Sequence, residues 1–312
     1  MAPMNDVAQL QIGITLPILS EIETQGIPDV RAMARHVEEL GFDSVRIPDL
    51  ITGDGTPSLE ATVTAATVAA VTQRVRISFG VRVLPLQPVA WLAAQIATLQ
   101  HLSGNRVVLG VGSGGFHGAP FWRAVGVPAH ERGRRTVAAL EVLPRLIAGE
   151  ETRLEHEPDR PIVRLAPGAP VPPILIGGNS DVAIRRTVTY GDGWTPSSLT
   201  PEALASGAQK LRELAAERRR AIPSITVAGG AVPGNDDAAR SAREAFVRRL
   251  VEGYGLSAEE AARIPVSGSP AEMAERFAAY SEAGAEGIGV GVFAEDWMHA
   301  VELIAEARAL LN

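Results

Sequence analysis

The chain has 312 residues, 46% of them hydrophobic, and a formal net charge of −7 with its basic residues dispersed rather than clustered. Such a charge pattern argues against nucleic acid as a partner. The absence of cysteine excludes disulfides, thiolate catalysis and thiolate-ligated zinc or iron–sulfur centres. The N-terminus lacks a secretion signal and no segment reaches the roughly 18 apolar residues of a membrane span, so we expect a cytoplasmic protein without membrane contact.

Short apolar runs alternate with helical periodicity along the chain. The run Leu10 to Leu16 predicts a strand, and Pro28 to Leu40 predicts a helix that stops at Gly41. The cycle repeats with strands at 44–47, 76–83 and 107–112, and with helices after Thr56-Pro57, at 88–101 and near 134–148. Four further strands are predicted at PPILIGG, GDGW, SITVAGG and EGIGVGV.

Eight strand–helix units predict an α/β fold, a (β/α)8 TIM barrel that spans residues 1–312 as one domain. A doubly wound open sheet is the alternative. Two segments interrupt the rhythm: 150–173 predicts an inserted hairpin or loop, and 234–265 predicts an irregular zone with a helix at about 237–251. Helix starts are predicted at Thr200-Pro201 and at Ser269, which forms a capping box with Glu272.

Functional residues of such barrels follow the C-terminal ends of the strands. The fourth strand ends in the glycine-rich run Gly110, Val111, Gly112, Ser113, Gly114 and Gly115. Missing side chains let a flat ring or a phosphate approach the backbone, although tight packing of the loop explains the glycines equally well.

The turn Gly177, Gly178, Asn179 and Ser180 joins a buried strand to a helix. Free amides and the helix dipole converge there and favour a phosphate. In the alternative interpretation, Asn179 or Ser180 is an ordinary N-cap.

Two titratable side chains are candidates for catalysis. Asp49 follows the second strand in an apolar setting, where it either hydrogen-bonds a cofactor ring or caps a turn. His117 is the histidine that lies in a strand-end loop, so it is the candidate for proton transfer, against a surface histidine without a role. The six histidines show no metal-ligand spacing, and we expect no metal.

The chain resembles the bacterial luciferase-like superfamily of flavin- or deazaflavin-dependent monooxygenases and oxidoreductases. The resemblance spans nearly the whole length and lies in ELGFDSVRIPD, RVRISFGVRVLP, LAAQIATLQHLSGNRVVLGVGSGG, VGVPAHERGRR, PPILIGGNSDVAIRRTVTYGDGW and SGSPAEMAERFAAYSEAGAEGI. It implies FMN or coenzyme F420 as cofactor, a small-molecule substrate, a separate reductase that supplies reduced cofactor, and a homodimer.

The resemblance also implies roles for residues. Gly80 and Val81 occupy the place where the family often has a non-proline cis peptide against the cofactor ring. The glycines after the fourth strand resemble the cofactor-lining loop, and 177–180 resemble the phosphate-binding turn. Trp194 is expected at the cofactor, and the pocket wall is expected to consist of apolar residues or else of plain core, namely Leu16, Leu50, Phe116, Trp122, Trp194 and Phe293.

The chain departs from the family's deazaflavin-dependent dehydrogenases at two points. Those proteins usually have Asp-His after the second strand, where this chain has Asp49-Leu50, and some have a glutamate where this chain has Gly115 or Phe116. Monooxygenase, F420-dependent dehydrogenase or reductase, and non-catalytic flavin-binding protein therefore stay open. A barrel lyase or aldolase is disfavoured because the sole lysine, Lys210, falls on a predicted surface helix.

Overall fold

A computed structural model describes residues 9–17, 27–116 and 118–311. His117 lies outside the described residues. The strands are β1 Gln11–Thr15, β2 Ser44–Ile47, β3 Arg76–Val83, β4 Val107–Gly112, β5 Thr152–Arg153, β6 Ile162–Val163, β7 Ile174–Gly177, β8 Gly193–Thr195, β9 Ser224–Pro233, β10 Val266–Gly268 and β11 Gly287–Val292.

The helices of the described residues surround these strands. They are α1 Val30–Glu39, α2 Ala61–Val71, α3 Val89–Ser103, α4 Pro120–Ala124, α5 Arg132–Ile147, α6 Asp181–Tyr190, α7 Pro201–Glu217, α8 Asp237–Tyr254, α9 Ala258–Ala262, α10 Pro270–Glu282 and α11 Trp297–Ala309.

Eight parallel strands close into a barrel in the order β1, β2, β3, β4, β7, β8, β9 and β11, and β11 pairs back with β1. The closed ring confirms the (β/α)8 prediction and is incompatible with an open sheet. β5 and β6 pair antiparallel and confirm the inserted hairpin. The short strand β10, which pairs with the end of β9 outside the ring, was not anticipated because three residues carry no readable periodicity.

Alternation along the strands separates the barrel interior from the helix layer. A Cβ on Gly13 would overlap the Ser44 hydroxyl, and a Cβ on Gly193 would lie 2.5 Å from both Leu175 Cδ2 and Ser224 Oγ, so these residues share the interior. The intervening residues, such as Ile12, Ile47 and Ile77, are fully buried against the helices. The outward positions of these strands are apolar, and this made the strands predictable from the sequence.

Side-chain caps determine where several helices begin. Ser269 and Glu272 form the predicted capping box, and the Thr200 hydroxyl accepts a hydrogen bond from the Ala203 amide. Helix α2 begins at Ala61, later than Thr56-Pro57 suggested, because Glu60 accepts from the Val63 amide and serves as the N-cap. These caps set the lengths of the loops at the C-terminal mouth of the barrel.

Candidate functional site

The Gly80–Val81 peptide bond is cis, as the resemblance implied. The pairing of β3 with β4 shifts register between Phe79 and Arg82 at the same place. Strand β3 therefore bulges at the mouth of the barrel.

The Val81 side chain joins three of the predicted segments. A Cβ on Gly112 would lie 2.9 Å from Val81 Cγ2, and a Cβ on Gly177 would lie 3.1 Å from Val81 Cγ1. A Cβ on Gly110 would overlap the Phe79 carbonyl oxygen. These glycines let the bulge, the end of β4 and the end of β7 meet, so the predicted cofactor segments lie side by side.

The turn 177–180, for which phosphate binding is predicted and which we call the phosphate turn, has a glycine in a left-handed conformation and a serine N-cap. Gly178 has a φ of +117°, and the Ser180 side chain accepts a hydrogen bond of 3.3 Å from the Ala183 amide as N-cap of α6. Among the described residues, nothing accepts from the amides of Asn179 and Ser180. The N-cap and the free amides are thus both present, because the Ser180 hydroxyl accepts from Ala183 and leaves the amides of Asn179 and Ser180 unused.

Asn179 holds this turn against the next loop. Its Nδ2 donates to the Ser197 carbonyl at 2.8 Å, and its Oδ1 accepts from the Ser197 amide at 3.0 Å. Two reciprocal hydrogen bonds leave the side chain of Asn179 committed to the protein, so its contribution to a ligand is through the main chain.

Two predicted cofactor contacts point away from the mouth. Trp194 is 1% exposed and packs on α7, where a Cβ on Gly207 would overlap its ring, and its Nε1 donates to the Gly178 carbonyl at 2.8 Å. Val111 is fully buried in the core between barrel and helices. Both side chains point out of the barrel toward the helices. Trp194 therefore supports the phosphate turn through its hydrogen bond to Gly178, and Val111 packs in the core. Ser113 follows β4 and is partly exposed.

Asp49 is bound to the bulged strand. Its Oδ2 accepts from the Val83 amide at 3.1 Å and lies 3.4 Å from Arg82 Nη1. Arg82, 4% exposed, also donates to Glu60 at 3.1 Å and to Gln87 at 2.9 Å. Asp49 therefore belongs to a buried polar network that holds β3 just beyond the cis peptide.

Burial raises the pKa of Asp49, and the neighbouring Arg82 and the Val83 amide counter that rise only in part. Burial also raises the pKa of Glu60, but hydrogen bonds from Val63 and Thr62 and the charge of Arg82 outweigh it, so that pKa is lowered overall. The two carboxyls share one guanidinium, and Asp49 is the one that holds a proton more readily.

A second part of the mouth lies on the other side of the barrel. A cavity of about 1110 Å³ is lined by the ends of β1, β9 and β11 and by α8 and α11. Phe246 and Phe293 stack there with ring centroids 4.2 Å apart, and a Cβ on Gly230 would lie 2.5 Å from Phe246 Cζ. Phe293 was expected in the pocket wall, whereas Phe246 was missed because it lies on a helix in the irregular zone.

The other expected wall residues divide into two groups. Leu16 and Trp122 are buried, and a Cβ on Gly114 would lie 2.8 Å from Trp122 Cζ2, so Gly114 serves the tight packing of the loop. Leu50 is partly exposed and Phe116 is 59% exposed.

Two functional candidates escaped sequence reasoning. The Thr195 hydroxyl at the end of β8 is buried and has no hydrogen-bond partner among the residues that the structure describes. The Arg46 side chain of β2 is 4% exposed inside the barrel. An arginine between valine and isoleucine in a buried strand was the signal for Arg46. No signal marks Thr195, because threonine is common in strands.

The described residues contain neither a membrane-spanning helix nor a cluster of metal-binding side chains. None of the helices within 9–17, 27–116 and 118–311 is long and apolar enough to cross a membrane. Over the same ranges, histidine, aspartate and glutamate side chains nowhere gather in a group of three or more that would hold a metal ion.

The protein is a closed (β/α)8 barrel, and its bulged third strand, glycine-lined mouth and adjacent helix N-terminus form a candidate site at the C-terminal face. The family model of the luciferase-like monooxygenases matches residues 10–308, and the chain belongs to that family. An uncharacterised protein of Mycobacterium tuberculosis is 32% identical over 215 residues, which cover 61% of this chain and 73% of the relative.

Solved structures share the fold. An F420-dependent secondary alcohol dehydrogenase in complex with an F420-acetone adduct superposes with a TM-score of 0.82 at 18% identity, covering 97% of this chain and 99% of the other. The oxygenating constituent of 3,6-diketocamphane monooxygenase from Pseudomonas putida, in complex with FMN, has a TM-score of 0.72 at 18% identity and covers 97% of each chain.

Proposed function

We propose that the protein is a flavin- or deazaflavin-dependent oxidoreductase that acts on a small organic molecule, with FMN or coenzyme F420 held at the barrel mouth. The observation that carries the proposal is the convergence of the Val81 bulge, the glycines 110, 112 and 177, and the free amides of the 178–180 turn. A flat ring attached to a phosphate needs such an arrangement, a smooth surface beside an anion site.

The hydrogen-bond donors around the barrel mouth suit a flavin or deazaflavin phosphate. Thr195 lies in register with Gly177, and its buried hydroxyl has no hydrogen-bond partner within the described ranges, which suits a ring rich in carbonyl and nitrogen acceptors. The amides of Asn179 and Ser180 suit phosphate oxygens at the start of α6.

The residues of the chain orient the ligands and exclude water. When bound, the cofactor supplies hydride transfer, or oxygen activation if it is a true flavin. Asp49 holds the Val83 amide, and thereby the bulge that carries Val81, in place. Phe246 and Phe293 present an apolar wall to a substrate on the opposite side of the mouth.

Proton transfer stays a prediction. Asp49 is committed to Arg82 and Val83, which supports a positioning role over direct proton transfer. His117 stays the candidate acid or base, and loss of one limb of the pH–rate profile in His117→Ala is the result we expect. The homodimer and the separate reductase likewise stay predictions.

Absorption spectroscopy tests the proposal. Purified protein titrated separately with FMN and F420 should shift and sharpen the band of at least one of them. Turnover of the reduced cofactor over a substrate panel then distinguishes an enzyme from a binding protein, and dependence on oxygen distinguishes a monooxygenase from a dehydrogenase. Unchanged spectra with both cofactors would contradict the proposal.

The charge beside the phosphate turn yields a further prediction. Asp181 begins α6, and its Oδ1 lies 3.1 Å from Lys210 Nζ. The carboxylate would repel a phosphate bound at the turn, and it also pairs with the lysine that would otherwise attract that phosphate. Asp181→Asn should therefore tighten binding of FMN a few-fold, a gain of about 0.5–1 kcal/mol typical of exposed charges at a helix start. The gain should shrink in high salt and should be absent for riboflavin, which lacks the phosphate; equal gains for both ligands would refute the argument.

A further inference from the structure

The side chain of Arg46 lies across the interior of the barrel. A Cβ on Gly80 of β3 would lie 2.7 Å from Arg46 Nη2, and a Cβ on Gly289 of β11 would overlap its Nε. Two glycines on separate strands thus make the space for this guanidinium. Gly80 is also the first residue of the cis peptide, so the group lies beside the bulge.

The guanidinium has no partner within the described residues. No hydrogen bond or ion pair links it to any of them, although the residue is only 4% exposed. Burial lowers the pKa of Arg46 to about 10, and no acidic side chain of the described residues opposes that effect. The group is still protonated at neutral pH, so a positive charge lies in the barrel without a counter-charge from those residues.

By contrast, the buried Arg82 and the partly buried Arg106 both have polar partners. Arg82 is bound to Asp49, Glu60 and Gln87. The Arg106 guanidinium donates to Thr72 Oγ1 and to carbonyl oxygens of residues 69, 72, 75 and 103, at 2.7–3.1 Å. Buried charges are ordinarily paired in this way, because desolvation is costly. Arg46 is the exception to explain.

Over the part of the chain that the structure describes, the nitrogens of Arg46 are not among the fully buried polar atoms that lack a partner, so they keep a small contact with accessible space. Gly80 belongs to the bulged segment, and β11, which carries Gly289, ends at Val292 and Phe293 in the wall of the large cavity. Arg46 therefore lies between the strand of the proposed ring surface and the strand that leads to the proposed substrate cavity.

We infer that Arg46 binds a planar anionic group of a ligand in the barrel mouth. The flat fork of a guanidinium matches a carboxylate, or the O–C–N edge of a ring that carries negative charge, in two parallel hydrogen bonds. The carboxylate of a substrate is one source of that chemistry. The reduced cofactor ring is the other, and this second source alone rests on the proposed function.

The test replaces Arg46 by methionine, which keeps much of the side-chain volume and removes the charge. Because an unpartnered buried charge does not stabilise the fold, the free Arg46→Met protein should unfold at the same or a higher temperature than the wild type. The matched control Arg106→Met loses five hydrogen bonds and should unfold at a clearly lower temperature. A fall in Arg46→Met as large as in the control would assign Arg46 a structural role and overturn the inference.

Ligand binding is measured in two arms. In the first, acetate, benzoate and the neutral analogue benzamide are added without cofactor, and thermal stability and calorimetric affinity are recorded. In the second, oxidised and reduced FMN and F420 are titrated without oxygen. Loss of the charged pair should weaken the responsible anion about tenfold or more in Arg46→Met, with Arg46→Lys intermediate because it keeps the charge without the fork.

The outcomes separate the sources. Wild-type stabilisation by the carboxylates and not by benzamide, lost in Arg46→Met, assigns the site to a substrate carboxylate. A selective loss of affinity for the reduced cofactor assigns it to the ring. A carboxylate response in a protein that binds neither cofactor would support the inference while refuting the proposed function. Equal affinities of wild type and Arg46→Met for every probe would overturn the inference.

Discussion

Gly178→Val should reduce the affinity for a phosphate-bearing cofactor by more than tenfold. The φ of +117° at Gly178 is a conformation that a β-branched L-residue does not adopt without strain, and its Cβ would also lie 3.2 Å from Ala183 Cβ. Such strain costs about 1–3 kcal/mol, which is enough to reorient the turn and with it the amides of Asn179 and Ser180. Spectral titration of wild type and variant with FMN measures the loss.

The chain contains a matched control for this variant. Gly234-Asn235-Asp236-Asp237 precedes α8 as Gly178-Asn179-Ser180-Asp181 precedes α6, with a φ of +97° at Gly234 and a Cβ that would lie 3.5 Å from Ala239 Cβ. Gly234→Val introduces the same kind of strain at the start of another helix. If it weakens FMN binding as much as Gly178→Val, the loss reflects general destabilisation and the proposed phosphate turn is disproved.

Arg82→Met should destabilise the fold by about 3 kcal/mol or more near neutral pH, because removal of one partner leaves a buried charge uncompensated. The side chains of Arg82 and Asp49 are 5% and 13% exposed, so solvent screens their interaction little. The Val83 amide and the Gly80–Val81 bulge depend on the position of Asp49, so cofactor affinity should fall as well. Urea unfolding followed by fluorescence measures the change in stability.

The pH dependence of this loss has a definite sign. The pKa of Asp49 is already raised in the fold, chiefly by burial, and loss of Arg82 removes an influence that lowers it. The folded protein then binds more protons than the unfolded chain above the ordinary carboxyl pKa, so stability falls as pH rises through that window. Arg82→Met should therefore be closer to the wild type at pH 5 than at pH 7.5.

A double variant isolates the carboxylate. Asp49→Asn combined with Arg82→Met keeps an oxygen that accepts from the Val83 amide and removes the charge. It should be more stable than Arg82→Met at pH 7.5 and should lose most of the extra pH dependence. A double variant no more stable than the single one would show that the energetic role of Arg82 lies with Glu60 and Gln87 instead.

The amino-acid sequence by itself determined the fold and the end of the barrel at which the candidate site lies. Strands 44–47, 76–83 and 107–112 were predicted with the bounds that β2, β3 and β4 have, because the helices around the barrel require apolar residues on the outward face of each strand. The order of strands and helices then located the mouth, since parallel strands end at one face. The glycines 80, 112 and 177 followed from that rule, with the resemblance adding the cis peptide.

Only the tertiary structure decided which side chains enter the mouth. Val111 and Trp194 belong to predicted strand ends, yet both point to the helix layer while Gly112 and Thr195 point inward. Where a strand has apolar or small residues on both faces, as in Val107–Gly112, the sequence does not show which face points into the barrel. The arginine within β2 was visible in the sequence, but the partners of Asp49 and the lack of a partner for Arg46 among the described residues were not. Contacts between residues on different strands depend on barrel closure and register, which no local pattern encodes.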